Sequence, residues 1–176
     1  VRNKVVKIPL SVSGIQGAID AVAEYRQWLK ERSTVLLERL TQEGFEIASA
    51  KFSQAIYDGV NDSAVSIENR SEKIRAVVAV GSSVLFIEFG TGVTYPDNHP
   101  EAAKNGMIRG RYGKGHGKQT SWGYYGEAGT NGKVLKETDK GSLVITKGNP
   151  ANMSMYETVK ELKSRLPALI REVFGQ

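Results

Sequence analysis

Val84-Leu85-Phe86-Ile87-Glu88-Phe89-Gly90-Thr91-Gly92 is an apolar run that closes on one acid, one aromatic and a Gly-Thr-Gly turn. Glu88 is the only charge between Arg75 and Asp97. A carboxylate in such surroundings is costly to bury unless a hydrogen-bonding or charged partner meets it. Gly90 and Gly92 permit positive φ or a close backbone approach. The stretch reads as a short packed element whose end is held tightly, with the rest of the chain arranged around it.

Immediately upstream, Gly81-Ser82-Ser83 is a break. Ser83 is placed to cap a short helix through Phe89, although the run is also short enough for a strand. Further back, Ile74, Ala76, Val78 and Val80 alternate with Arg75, Val77 and Ala79, and residues 64–68 alternate with Val65 and Ile67 on one face. Joined by the polar stretch 69–73, these predict an antiparallel hairpin. The turn cluster Tyr57-Asp58-Gly59-Val60-Asn61-Asp62 separates the hairpin from a long helix. Ser13-Gly14-Ile15-Gln16 has the form of a capping box. From there Ile15, Ile19, Val22, Leu29, Leu36 and Leu40 recur at three-, four- and seven-residue steps. Arg26 and Ser33 interrupt that stripe, which favours packing on a sheet or a neighbouring subunit over a regular coiled coil. Gly44 punctuates the helix, and Phe45, Ile47, Ala48 and Phe52 either continue it or start a second one.

Downstream, residues 90–132 hold 11 of the 19 glycines and show no periodic apolar pattern. A loop of that length inside a domain points to function or to ordering on binding. Val134-Leu135 and Leu143-Val144-Ile145 flank Thr138-Asp139-Lys140-Gly141 and predict a second hairpin. Ser154-Met155-Tyr156-Glu157 is another capping box. It opens a helix striped by Met155, Val159, Leu162, Leu166, Leu169 and Val173, with Lys160, Glu161, Lys163 and Arg165 outward and Pro167 set to kink it. The expected architecture is one α+β domain, 1–176, with a glycine-rich loop inserted at 93–132. Its long N-terminal and C-terminal helices should pack on one face of a small, mainly antiparallel sheet.

Composition narrows the function classes. With 40% hydrophobic and 24% charged residues, the chain falls outside the disordered class. It has no cysteine, which excludes a disulfide framework and thiolate metal sites and fits assembly in a reducing cytoplasm. No run approaches the length of a membrane span, and residues 1–13 lack the apolar centre of a signal peptide. A net charge of +5 favours acidic partners, whether nucleic acid or a protein surface.

The basic charge gathers in residues 104–118, where Lys104, Arg109, Arg111, Lys114 and Lys118 stand without an acid. Tyr112 and His116 are interleaved, and Trp122, Tyr124 and Tyr125 follow. Such an arm could contact phosphates with aromatics to stack, dock on an acidic partner subunit, or simply be a solvated loop. Neither Gly90-Thr91-Gly92 nor the alternating glycines at 113–117 sit in the strand-to-helix context of a phosphate loop. Glu88 reads as a structural acceptor for the Gly-Thr-Gly turn, or as the partner of a basic residue, rather than as a catalytic acid. The two histidines, His99 and His116, have no metal-ligand spacing and read as exposed loop residues. No Gly-x-Ser-x-Gly elbow is present. An enzyme, a metal site and a cofactor are not expected.

The Phe-Ile-Glu-Phe-Gly-Thr-Gly string, late in a chain that opens with a long helix, resembles the tail-completion family of long-tailed bacteriophages. These are the small neck proteins grouped with the minor tail protein Z of phage lambda. Gly148-Asn149-Pro150-Ala151-Asn152-Met153 before a closing helix is similar to that family too, and the element order matches over 14–93 and 148–174. The resemblance implies a structural head–tail joining protein of the virion neck, assembled in the host cytoplasm as a homo-oligomeric ring. Its implied partners are the head connector or stopper, the tail terminator or tail tube proteins, and packaged DNA non-specifically, with no membrane. It implies that Glu88, Phe89, Gly90, Thr91 and Gly92 hold the fold, while the 93–132 loop, longer than the family pattern, reaches partners. The alternative is a nucleic-acid-binding module that grips DNA with 104–118.

Overall fold

The computed structural model describes residues 7–92, 99–107, 120–129 and 131–175. Helix α1 spans Val12–Ser53 without interruption, so Phe45, Ile47, Ala48 and Phe52 continue the first helix. Its N-cap is Ser11, two residues before the expected cap, with Ser11 Oγ accepting from the Gly14 N–H at 3.1 Å. Gly44 does not punctuate the helix. It is buried, and a Cβ there would meet Leu162 Cδ1 at 3.0 Å and Val77 Cγ2 at 3.3 Å. The glycine is what lets α1 approach both the hairpin and the last helix.

The first hairpin pairs β1 (Ala64–Ser71) with β2 (Ile74–Val80), antiparallel, from Ala64 opposite Val80 to Ser71 opposite Ile74. The connection is shorter than the expected polar turn. The quoted apolar run forms helix α2, Val84–Phe89. Strand β3 (Trp122–Tyr125) lies inside what reads from sequence as structureless loop, and it pairs antiparallel with β5. The second hairpin joins β4 (Lys133–Thr138) to β5 (Gly141–Thr146). The chain closes with α3, Ser154–Phe174, which contains Pro167.

The fold class is α+β with antiparallel strands, as expected. The strands form two sheets rather than one: β1-β2, and a three-stranded sheet in the order β3-β5-β4. Helix α1 packs on both β1 and β2 and also on α3. The two helices run antiparallel, with Glu43 facing Arg165 and Arg39 facing Glu172. These ion pairs are exposed and contribute little. The buried face of α3 carries Ser154, Thr158, Leu169 and Val173, so Thr158 takes the inner position that the stripe assigned to Val159.

Among the described residues the interior is as much polar as apolar. Ala48, Phe52, Ile87, Phe89, Ala102, Val144, Leu169 and Val173 are buried, alongside Thr41, Asp58, Ser83, Glu88, His99, Thr146, Asn149, Ser154 and Thr158. Hydrogen bonds therefore decide how the pieces join, because a buried polar group left unpaired is destabilising.

Candidate functional site

The polar interior converges where α2 ends and α3 begins. Glu88 is in the last turn of α2 and is 6% exposed. Its carboxylate accepts from the Met155 N–H at 2.7 Å and from the Tyr156 N–H at 2.9 Å. These are amides of the first turn of α3, which an α-helix cannot satisfy internally. Glu88 is thus the cap of a helix 67 residues away in sequence, and its negative charge sits where the helix dipole favours it. The local capping box does not form. The N-cap is Met153 in the left-handed region, with φ 54° and no side-chain cap bond, and Ser154 Oγ is buried without a partner.

His99 completes the cluster. Its Nε2 lies 3.0 Å from Glu88 Oε1, and its Nδ1 accepts from the Glu101 N–H at 3.0 Å. An amide can only donate, so the imidazole proton is on Nε2 and faces the carboxylate. The ring is flanked by Phe89 at 4.5 Å and Tyr156 at 5.2 Å between centroids. His99 is 6% exposed, which corrects the expectation of an exposed loop histidine. Of the two partners expected for Glu88, the basic residue is met by His99, whereas the backbone amides come from α3 and not from the Gly-Thr-Gly turn.

That turn is held by its own lock. Thr91 and Asn149 bond reciprocally: Thr91 N–H to Asn149 O at 2.8 Å, Asn149 N–H to Thr91 Oγ1 at 3.0 Å, and Thr91 Oγ1–H to Asn149 Oδ1 at 2.7 Å. Asn149 is fully buried and also donates to Phe86 O at 3.2 Å. Two glycines make this crossing possible. Gly90 has φ +80° and a Cβ would lie 2.7 Å from Ala151 N; Gly148 has φ +94° and a Cβ would lie 2.2 Å from Thr91 O. Asn152 extends the lock to the end of α1 by accepting from the Ile56 N–H at 2.9 Å and donating to Ile56 O at 2.8 Å. Nearby, buried Asp58 accepts from Thr146 Oγ1 and from the Asn131 N–H, tying the three-stranded sheet to the same region.

The residues of the basic arm divide differently. Lys104 is exposed and pairs with Glu101 at 2.9 Å, so its charge is compensated locally; that contact holds the Glu101 carboxyl below the usual carboxylate range. Trp122 belongs to β3 rather than to a loop, and its ring covers Gly92 and Gly148, at 2.8 Å and 2.9 Å from where their Cβ atoms would stand. Arg109, Arg111, Tyr112, Lys114 and Lys118, together with His116 and Asp97, lie outside the described residues. Elsewhere, the hydroxyls and amides of Ser83 and Ser82 hold the Asp62 carboxyl well below the usual carboxylate range, fixing the start of α2.

Reading residue types alone missed His99, Asn149 and Asn152. The only available signal was that two asparagines and a histidine flank segments that must pack closely. Among the described residues, no group of three or more histidines and acids is placed to hold a metal ion, and no helix is long and apolar enough to cross a membrane. No protein-family model matches the chain, and neither does any curated protein or solved structure.

Proposed function

We propose that this chain is a structural protein of the neck of a long-tailed bacteriophage, completing the tail and joining it to the head. In this reading copies assemble into a ring or collar in the host cytoplasm and remain in the virion. They work by protein–protein contact with the head connector or stopper and with the tail terminator or tube proteins. One observation carries the proposal. The two segments that resemble the tail-completion family, 88–92 and 148–153, are far apart in sequence yet interlock through the reciprocal Thr91–Asn149 bonds and the Met153 N–H donating to Glu88 O at 3.2 Å. Glu88 is fully engaged as a helix cap, which supports a binding role for this region over a catalytic one. A ring requires a self-complementary or head-to-tail surface. The large apolar side chains left exposed away from the start of α1, including Ile74, Val80, Leu85 and Leu135, supply material for one.

The test is deletion of the gene from its phage, followed by negative-stain electron microscopy of the lysate. Filled heads beside separate finished tails are expected. Normal virions would refute the joining role, and tails of uncontrolled length would move it to tail termination. A second reading, a DNA-binding arm, rests on the sequence from 104 to 118, which carries Arg109, Arg111 and Lys114 and no acid. It requires tight DNA binding that falls steeply with salt and collapses when all three become alanine.

A further inference from the structure

Helix α1 is twice the length of α3, 42 residues against 21. The last turn of α3 reaches it at Trp28, where the Phe174 ring stands edge-on at 5.8 Å. Residues 12–27 therefore run on past the end of α3, roughly 24 Å of helix at 1.5 Å per residue. No residue of α1 before Thr41 is buried. On this overhang the stripe that packs inward lower down continues without a cover among the described residues: Ile15, Ile19 and Val22 are each about half exposed. With Ile8 from the segment before the helix, they line a groove of about 460 Å³ with Ala18, Ala23 and Arg26.

The charges around this groove are one-sided. Arg26 lines it, and Lys30 and Arg32 flank the same stripe at helical spacing. None of the three has an ion-pair partner among the described residues. The acids of the overhang are turned away: Asp20 accepts from Gln16 and Glu31 from Gln27 on the opposite face, with Glu24 between them in the same row. Pairing two overhangs in parallel, stripe to stripe, would bring the two sets of Arg26 and Lys30 together, which is unfavourable. The chain's first six residues carry Arg2 and Lys4 and no acid, the wrong sign for this groove.

We infer that the overhanging face of α1 is a docking groove for an amphipathic helix of another protein, with an aliphatic seam flanked by acids. The occupant would continue the line of α3, laying aliphatic anchors against Ile15, Ile19 and Val22 and carboxylates against Arg26 and Lys30. Nothing in this surface depends on the neck role. A phage with normal virions after deletion would leave the groove and its preference untouched.

Two labelled synthetic helices with the same Leu and Ile seam, one flanked by Glu and one by Lys, test this by fluorescence anisotropy against the full chain. The Glu-flanked helix should bind preferentially and weaken as salt rises. Ile19→Ser should weaken it by roughly tenfold, from loss of a buried aliphatic contact. Arg26→Glu should shift the preference toward the Lys-flanked helix. Both positions are exposed, and circular dichroism checks that each variant keeps its helix content. Binding of neither helix, equal binding of both, or no change in preference on Arg26→Glu would overturn the assignment. So would self-association in sedimentation velocity, or binding to phosphatidylglycerol vesicles, that Ile19→Ser abolishes: the occupant would then be a second copy or a lipid surface.

Discussion

Replacing Glu88 by glutamine keeps the shape of the side chain and removes its charge. The carboxylate accepts three hydrogen bonds, from Met155 N–H, Tyr156 N–H and His99 Nε2–H. The amide of glutamine offers one oxygen and one NH2. The NH2 must then face a donor, because His99 cannot reverse its tautomer without turning Nδ1–H onto the Glu101 N–H. A hydrogen bond to a charged group contributes about 1.5–3 kcal/mol, and an orphaned buried donor costs about 1–3 kcal/mol. The charge at the start of α3 adds about 0.3–1 kcal/mol. These terms overlap, since glutamine retains part of the network, so the expected loss is about 2–4 kcal/mol. For a domain of this size that lowers Tm by about 5–15 °C. Urea denaturation followed by circular dichroism, with hydrogen exchange at the Met155 and Tyr156 amides, measures both the global loss and its location. Glu68→Gln is the control: that carboxylate is half exposed, pairs only with Arg70 among the described residues, and should change stability by less than about 0.5 kcal/mol. If Glu88→Gln matched this control, or if exchange at the two amides were unchanged, the cap would not be what holds α3.

Three further outcomes follow from the same geometry. Gly90→Ala forces a side chain into φ +80° with its Cβ 2.7 Å from Ala151 N, whereas Gly106→Ala meets φ +70° with nothing within 4 Å. Thermal melts should show about 1 kcal/mol lost at Gly106 and at least about 2–3 kcal/mol at Gly90, and equal losses would contradict the close crossing. Asn152→Ala should cost about 0.5–1.5 kcal/mol per hydrogen bond lost to the surface-exposed Ile56 backbone groups, and exchange of the Ile56 amide should rise with it. The Asp62 carboxyl lies below its ordinary value of 3.8 in the folded chain, chiefly through Ser83 and then Ser82. A lowered folded-state pKa stabilises above the unfolded value and is lost as pH falls below it. Asp62→Asn should therefore flatten the fall in Tm below about pH 4 while changing little of its slope near pH 7; an unchanged acid limb would remove Asp62 from that role.

The periodic elements were legible in the sequence because each declares itself over neighbouring residues. The 3.6-residue stripe announced α1 and α3, and strict alternation announced the β1-β2 hairpin. The Thr138 to Gly141 turn residues announced the β4-β5 hairpin. Glu88 stood out as the lone charge in an apolar run, and the glycines beside it as positions of close approach. Strand β3 was not legible, because Trp122-Gly123-Tyr124-Tyr125 is only four residues long and gains its backbone partners from β5, some twenty residues later. Nor was the cap of α3. Ser154 and Glu157 satisfy the local pattern, yet a buried carboxylate from α2 displaces it, because a full charge facing two free amides outcompetes a neutral hydroxyl. His99 had the look of a loop histidine until Phe89 and Tyr156 enclosed it. The sequence by itself determined the two long helices and the two hairpins, since those choices depend on spacing along the chain. The tertiary structure alone decided what meets Glu88, where Asn149 and Asn152 find partners, and which stretch of α1 is left uncovered. Each of those depends on where distant segments end in space.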